Sequence, residues 1–286
     1  MKNITWLASY PKSGNTWFRI FLANYLSNSD NPISLDEIEQ TPIASSAIDF
    51  EEIVGLNPFE LTADEVDLYR PDIYQTLSKE AKESGKILYK KVHDAYTLNA
   101  KGEPIFPDEA THCAIYFVRN PLDVCVSYAN HSADNIENKA NFILNEEASI
   151  AGKKSSQLRQ ILMSWESHIN SWKNQNRIRT HFVRYEDMLQ KPMETFGGII
   201  QYLGLDYDQE NLERAILFSD FKLLQQMEQE NGFREKAQVC KSFFWKGKIG
   251  NYKKYLTEEQ IEKIVNYNSE TMKEFGYLDK EGNLTV

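Results

Sequence analysis

Cysteine is scarce in this chain. Cys113, Cys125 and Cys240 are the only three in 286 residues, their number is odd, and no two are spaced as CxxC. That excludes a disulfide framework and a Cys-built zinc site, and points to a reducing compartment. Long apolar runs are missing too. None approaches the roughly 20 residues that span a bilayer. The early stretch Ile4–Ala8 is too short for a signal-peptide core and reads better as a strand. The expectation is a cytoplasmic protein with no membrane partner. Positive charge is also short, with 32 Lys and Arg against 42 Asp and Glu and a formal net charge of −10. A general nucleic-acid binder is usually basic, so no nucleic-acid partner is expected. An anionic ligand would need cations gathered at a few special turns. No internal repeat, low-complexity segment or linker stands out, and a single domain over 1–286 is the simplest organisation.

Short apolar segments alternate with helical patterns, the signature of an α/β fold with a central, mainly parallel sheet flanked by helices. Strands are expected at Ile4–Tyr10, Lys86–Val92, His112–Arg119 and Thr180–Tyr185. Helices are expected at Trp17–Leu26, Pro71–Ser84, Leu122–His131 and Leu158–Asn174, and over 193–203, 209–217 and 257–274. Residues 30–68 read as short helices and loops, 132–156 as a mobile loop or lid, and 230–252 as a long ligand-covering loop.

The cations do gather at turns. Ser9-Tyr10-Pro11-Lys12-Ser13-Gly14-Asn15-Thr16-Trp17 lies between the first strand and the first helix. A strand–turn–helix presents backbone N–H groups and the positive end of the helix dipole, which suits a phosphate. Gly14 lets the backbone approach closely. Lys12 adds a cation, and Ser13, Asn15 and Thr16 add polar side chains. An ordinary βα turn with a surface lysine would read similarly. The nucleotide P-loop GxxxxGK[ST] does not match, because Lys12 precedes Gly14. A second cluster, Phe117-Val118-Arg119-Asn120-Pro121-Leu122-Asp123-Val124-Cys125-Val126-Ser127-Tyr128, has Arg119 ending a strand and Pro121 suited to a helix start. A third, Phe243 to Tyr252, is rich in aromatics, Gly and Lys.

These three segments resemble, in order, the YPKSGTTW loop, the RNPxDVxVSY signature and the RKGxxGDW loop of sulfotransferases that use 3′-phosphoadenosine 5′-phosphosulfate (PAPS). The resemblance runs from residue 5 to about 260 and is closest to the compact bacterial branch. It implies a P-loop-like phosphosulfate-binding loop at Lys12, Ser13, Gly14, Asn15, Thr16 and Trp17. It also implies a 3′-phosphate site at Arg119 and Ser127, covered by Lys246 and Gly247. Trp245 stands where the family has Arg, with Lys248 as a substitute cation. An adenine site is implied at Trp17, Tyr185, Ser219 and Phe221. PAPS is then the co-substrate and 3′-phosphoadenosine 5′-phosphate (PAP) the product.

Sulfonate transfer needs a base for the acceptor and cations for the moving group. His93 ends a strand two residues after Lys91, so both face one side, and Lys91-x-His93 resembles the family's KTH motif. A histidine suits proton removal at neutral pH. His93, Lys12 and Lys91 are the expected catalytic residues. No carboxylate–His cluster has metal-ligand spacing, so no metal is expected. The expected partner is a small molecule or natural product bearing a hydroxyl. Lys253, Thr257 and Glu262 match a short dimer motif whose apolar centre is Glu258 here, which leaves a homodimer open. Two rivals remain, a P-loop phosphotransferase and a nucleotide-binding module without activity.

Overall fold

The computed structural model describes residues 2–152 and 156–286. In chain order the elements are β1 (Ile4–Ser9), α1 (Asn15–Ser27), α2 (Ala47–Val54), α3 (Ala63–Glu83), β2 (Leu88–Val92), β3 (Thr111–Val118), α4 (Pro121–Ser132), α5 (Ile136–Phe142) and β4 (Ser149–Ile150). There follow β5 (Gln160–Ile161), α6 (Trp165–Asn174), β6 (Thr180–Arg184), α7 (Tyr185–Gln190), α8 (Pro192–Leu203), α9 (Gln209–Phe218), α10 (Phe221–Asn231), α11 (Glu258–Tyr267) and α12 (Ser269–Glu274). The fold is α/β, with a central sheet ordered β2-β1-β3-β6. β1 and β2 run parallel in a register from Ile4↔Leu88 to Ala8↔Val92. All six β1 residues are buried, as a strand covered on both faces requires.

The chain forms two compact units, each of three segments. The first holds the chain up to Tyr10, Thr41–Tyr116 and Glu146–Phe182; the second holds Pro11–Gln40, Phe117–Asn145 and Val183–Val286. β3 and β6 each begin in the first unit and finish in the second. An aromatic core fills the first unit. Trp6 lies 5.0 Å from both Tyr74 and Phe106, and Phe106 lies 5.3 Å from Trp172. In the second unit Phe21 stacks on Phe196 at 4.2 Å, and Phe18 lies 4.9 Å from Phe117. Each such pair contributes about 0.5–1.5 kcal/mol beyond its buried area.

Four expectations are corrected. The helix expected at Pro71–Ser84 begins at Ala63, because Thr62 and Glu65 form a capping box and Pro71 sits inside the helix. The expected loop over 132–156 contains α5 and β4, started by an Asn135 side chain that accepts from the Asn138 N–H; 153–155 lie outside the described residues. The expected helix Leu158–Asn174 opens instead with β5, paired antiparallel to β4, and turns helical only at Trp165 under a Ser164 cap. The loop expected from 230 is preceded by α10, capped by Asp220, while 257–274 is two helices divided at Asn268.

Candidate active site

The turn after β1 has two left-handed residues, Lys12 (φ 70°) and Gly14 (φ 98°). The second leads into α1, whose N-terminus no side chain caps. Its positive dipole end therefore faces the turn. Gly14 is needed for more than its dihedral angle: a Cβ there would lie 2.7 Å from Tyr185 Cδ2 and 2.8 Å from Met188 Cε. The Ser13 hydroxyl is buried and has no hydrogen-bond partner among the described residues. A buried polar atom in that state calls for a ligand or water. The Lys12 ammonium lies 4.2 Å above the Phe243 ring. Thr16 donates from its hydroxyl to Glu235 (3.3 Å), which also receives Arg19 at 2.7 Å.

Arg119 follows β3 directly. Its guanidinium donates to the Lys12 carbonyl at 3.1 Å and the Lys248 carbonyl at 3.4 Å, and lies 4.2 Å over the Tyr185 ring. One arginine thus joins the turn after β1, the loop at 246–252 and the Tyr185 ring. Asn120 caps α4 and Pro121 opens it. Asp123, in the first turn of α4, accepts from the N–H groups of Gly250 (2.8 Å) and Tyr252 (2.9 Å). Ser127 lies one turn further along, on the face that holds the loop. Glu186 accepts from the Asn120 N–H at 3.1 Å and from the Tyr277 hydroxyl at 2.9 Å. Burial pushes the Glu186 carboxyl above its ordinary range, with the Asn120 N–H opposing. Burial likewise raises the Tyr185 phenol, with Arg119 opposing.

Trp17 donates from its indole to the Ser219 carbonyl at 2.7 Å and meets Tyr185 edge-on at 5.9 Å. Ser219 is fully buried, and its hydroxyl donates back to Ala215 at 2.8 Å, so it is the Ser219 backbone that holds the indole. Phe221 packs against Gly247, where a Cβ would lie 2.5 Å from its ring. Lys246 is exposed, its ammonium 5.2 Å from the Trp245 ring, and that ring lies 5.5 Å from Tyr255. Trp245, the departure from the family pattern, is thus an aromatic partner of Tyr255 and Lys246. Lys12 to Trp17, Arg119, Ser127, Tyr185, Ser219, Phe221, Lys246 and Gly247 all belong to the second unit.

Lys91 and His93 belong to the first unit. The Lys91 backbone pairs with a flanking segment, donating to the Pro42 carbonyl and accepting from the Ala44 N–H. Its neighbour Lys90 points to the opposite face and is paired with Asp49. His93 lies just past β2. Its Nδ1 is 2.9 Å from the Ser9 carbonyl oxygen and 3.4 Å from the Ser9 hydroxyl. A carbonyl oxygen only accepts, so Nδ1 carries a proton, and in the neutral imidazole the lone pair falls on Nε2. Asp94, next in line, is held two-pronged by Arg70 at 2.8 and 3.0 Å. Burial raises the Asp94 carboxyl, and Arg70 pulls it back.

A family model described as a sulfotransferase domain matches residues 2–276. The chain belongs to the sulfotransferase family. It is an enzyme of the PAPS-dependent class that the sequence motifs implied. This sulfotransferase is 25% identical over 284 residues to cytosolic sulfotransferase 7 of Arabidopsis thaliana, spanning 92% of this chain and 77% of that one. It is 25% identical over 280 residues to a flavonol 3-sulfotransferase of Flaveria bidentis, spanning 92% and 79%. Its fold matches that of mouse SULT7A1 crystallised with PAP, at TM-score 0.59 and 20% identity over 95% of this chain and 84% of that one. It also matches a retinol dehydratase crystallised with androsterone and PAP, at TM-score 0.59 and 16% identity over 96% and 82%. Among the described residues no helix is long and apolar enough to cross a membrane.

Sequence reasoning passed over Asp123, Glu228 and Glu235. Asp123 stood inside a recognised segment, and its position in the first turn of α4 was a usable signal. Glu228 accepts from the Phe243 N–H (2.7 Å) and the Phe244 N–H (3.0 Å); no local pattern marks it, because its partners lie in an irregular loop.

Proposed function

We propose that this sulfotransferase moves the sulfonate group of PAPS onto a hydroxyl of a small-molecule or natural-product acceptor, with His93 as general base, and that residues 1–286 work as one catalytic domain. The observation that carries the reading is the His93 Nδ1 contact to the Ser9 carbonyl. It leaves a lone pair on Nε2 and ties the base to the residue three places before Lys12. The buried, unpartnered Ser13 hydroxyl and the uncapped N-terminus of α1 fit a bound phosphosulfate.

When bound, PAPS supplies an activated sulfonate and a stable leaving group. The Ser13 to Trp17 turn and Lys12 hold its 5′ end. Arg119, Ser127, Lys246 and Gly247 hold the 3′-phosphate, with the Lys248 ammonium as an added cation in place of the family's Arg. Trp17, Tyr185 and Phe221 form the base platform, steadied by the Ser219 carbonyl. His93 takes the acceptor proton at Nε2. Lys91 and Lys12 place positive charge where it develops on the sulfonyl and phosphate oxygens, so most of the catalysis is electrostatic. The residues need no metal for these roles. Curated relatives named cytosolic sulfotransferases support a cytoplasmic setting.

Two measurements test the proposal. PAP should raise the melting temperature without Mg²⁺, and Mg-ATP should do no better. His93→Ala should cut transfer from labelled PAPS across an acceptor panel by about 10²–10⁴-fold while PAP affinity stays near wild type. Normal turnover in that variant would remove His93 as the base.

A further inference from the structure

We infer that His168 is a positioning residue for His93, acting on its backbone from one face of α6; the inference rests on the reading of His93 as the base. β2 ends at Val92, so the β-ladder no longer fixes the peptide that carries the imidazole. Two donors on α6 take over. His168 Nε2 lies 3.0 Å from the His93 carbonyl, and Trp172 Nε1 lies 3.0 Å from the Asp94 carbonyl. Four residues apart on a helix, they share a face, and they hold two consecutive carbonyls.

The direction of each bond follows from chemistry. The His93 carbonyl only accepts, so His168 Nε2 carries a proton. Nδ1 of neutral His168 then holds the lone pair and accepts from the Tyr116 hydroxyl at 2.7 Å. The Tyr116 oxygen in turn receives the Tyr10 backbone N–H. A directed chain therefore runs from Tyr10 through Tyr116 and His168 to His93. Every member before His93 is buried, and His168 is wholly inaccessible to solvent. Burial alone requires both His168 nitrogens to be bonded; what ties the residue to the base is that one of its two partners is the His93 carbonyl itself. With Nδ1 of His93 on the Ser9 carbonyl and Asp94 gripped by Arg70, the base is held from ring, carbonyl and following residue at once.

The test uses the full chain labelled with ¹⁵N-histidine, whose five histidines are assigned by single substitutions. In the PAP-bound wild type His93 should appear as the Nδ1–H tautomer and His168 as the Nε2–H tautomer. In His168→Phe, His93 should become a tautomer mixture. With PAPS and 2-naphthol, kcat should fall about 10–100-fold, the scale of a misplaced catalytic group, while the KM for PAPS stays unchanged. His168→Gln keeps an N–H donor and should recover most of the loss. In a His93→Ala background, adding His168→Phe should cause no further loss. An unchanged His93 tautomer and kcat in His168→Phe would overturn the proposal, as would an equal further loss in the His93→Ala background. If His168→Phe does not fold, Tyr116→Phe, which deletes one oxygen, should release the His168 tautomer and lower kcat several-fold; an unaltered tautomer there refutes the chain. Wild-type turnover in His93→Ala with intact tautomer effects would instead sink the base assignment alone.

Discussion

Gly247→Ala tests how closely the loop at 246–252 is fitted to the Phe221 ring, and with it the proposed nucleotide site. Gly247 has φ 58°, so any side chain there meets the left-handed cost of about 1–2 kcal/mol. The added Cβ would also lie 2.5–2.7 Å from three atoms of the Phe221 ring, nearer than carbon atoms approach. The ring cannot move freely, because Phe221 packs against the core cluster of Ile20, Leu224, Phe233 and Phe244. Overpacking of this kind costs roughly 1–3 kcal/mol. Gly250 is the internal control. Its φ is 71°, but the nearest atom to a built Cβ is Lys253 Cε at 3.9 Å, so Gly250→Ala should show the backbone cost alone. Urea unfolding should separate the two variants by about the overpacking term. Calorimetric titration with PAP should show Gly247→Ala binding at least ten-fold more weakly than Gly250→Ala, since only the first displaces Phe221. Equal stabilities and equal PAP affinities would refute the claim that the loop and the ring are in fitted contact.

Three further outcomes follow from buried groups. Burial lowers the His168 pKa from 6.5 to about 4, despite its bond to the His93 carbonyl. The unfolded chain therefore binds a proton that the folded chain refuses between those values, so stability is full above pH 6.5 and declines as pH falls toward 4. The loss is about 3 kcal/mol. Urea midpoints measured from pH 7.5 to 4.5 should show this slope in the wild type and a shallower one in His168→Gln. Asp94→Asn leaves the Arg70 guanidinium buried without its closest countercharge; Asp67 remains at 3.4 Å. Breaking such a pair costs about 3–5 kcal/mol, and the urea midpoint should fall accordingly. Arg119→Ala removes donors to the Lys12 and Lys248 carbonyls, and calorimetry should show PAP affinity at least ten-fold weaker.

β1 and β3 were legible because they are buried along nearly their whole length and read as near-continuous apolar runs; each ends within a residue or so of its expected position. α1, α4 and α8 carried clear helical spacing. Pro71 misled, because proline favours the first turn of a helix, yet Thr62 and Glu65 had already nucleated the helix upstream. α10 was legible but passed over: Phe221, Leu224 and Met227 recur at helical spacing behind the Asp220 cap. The turn after β1 was readable as a short, ordered string, because its residues are contiguous in sequence. The supports of His93 were not, since Ser9, His168 and Arg70 are separated from their partners by 84, 75 and 24 residues. His168 looked like one more residue on a helix face, and only the fold shows what that face touches.

The alternation of segments between the two units has a kinetic consequence. The chain passes from one unit to the other five times. Neither unit is a continuous stretch that could be excised or expressed alone. The first cannot close until Glu146–Phe182 has been synthesised, although its central pairing, Ile4 with Leu88, engages the earliest strand. Such non-local pairing folds slowly, because loop-closure entropy precedes the reward of contact. β1, every residue of which is buried, is made first and waits for its partners β2 and β3 during synthesis. That makes it the segment of this molecule most exposed to misassociation before the fold is complete.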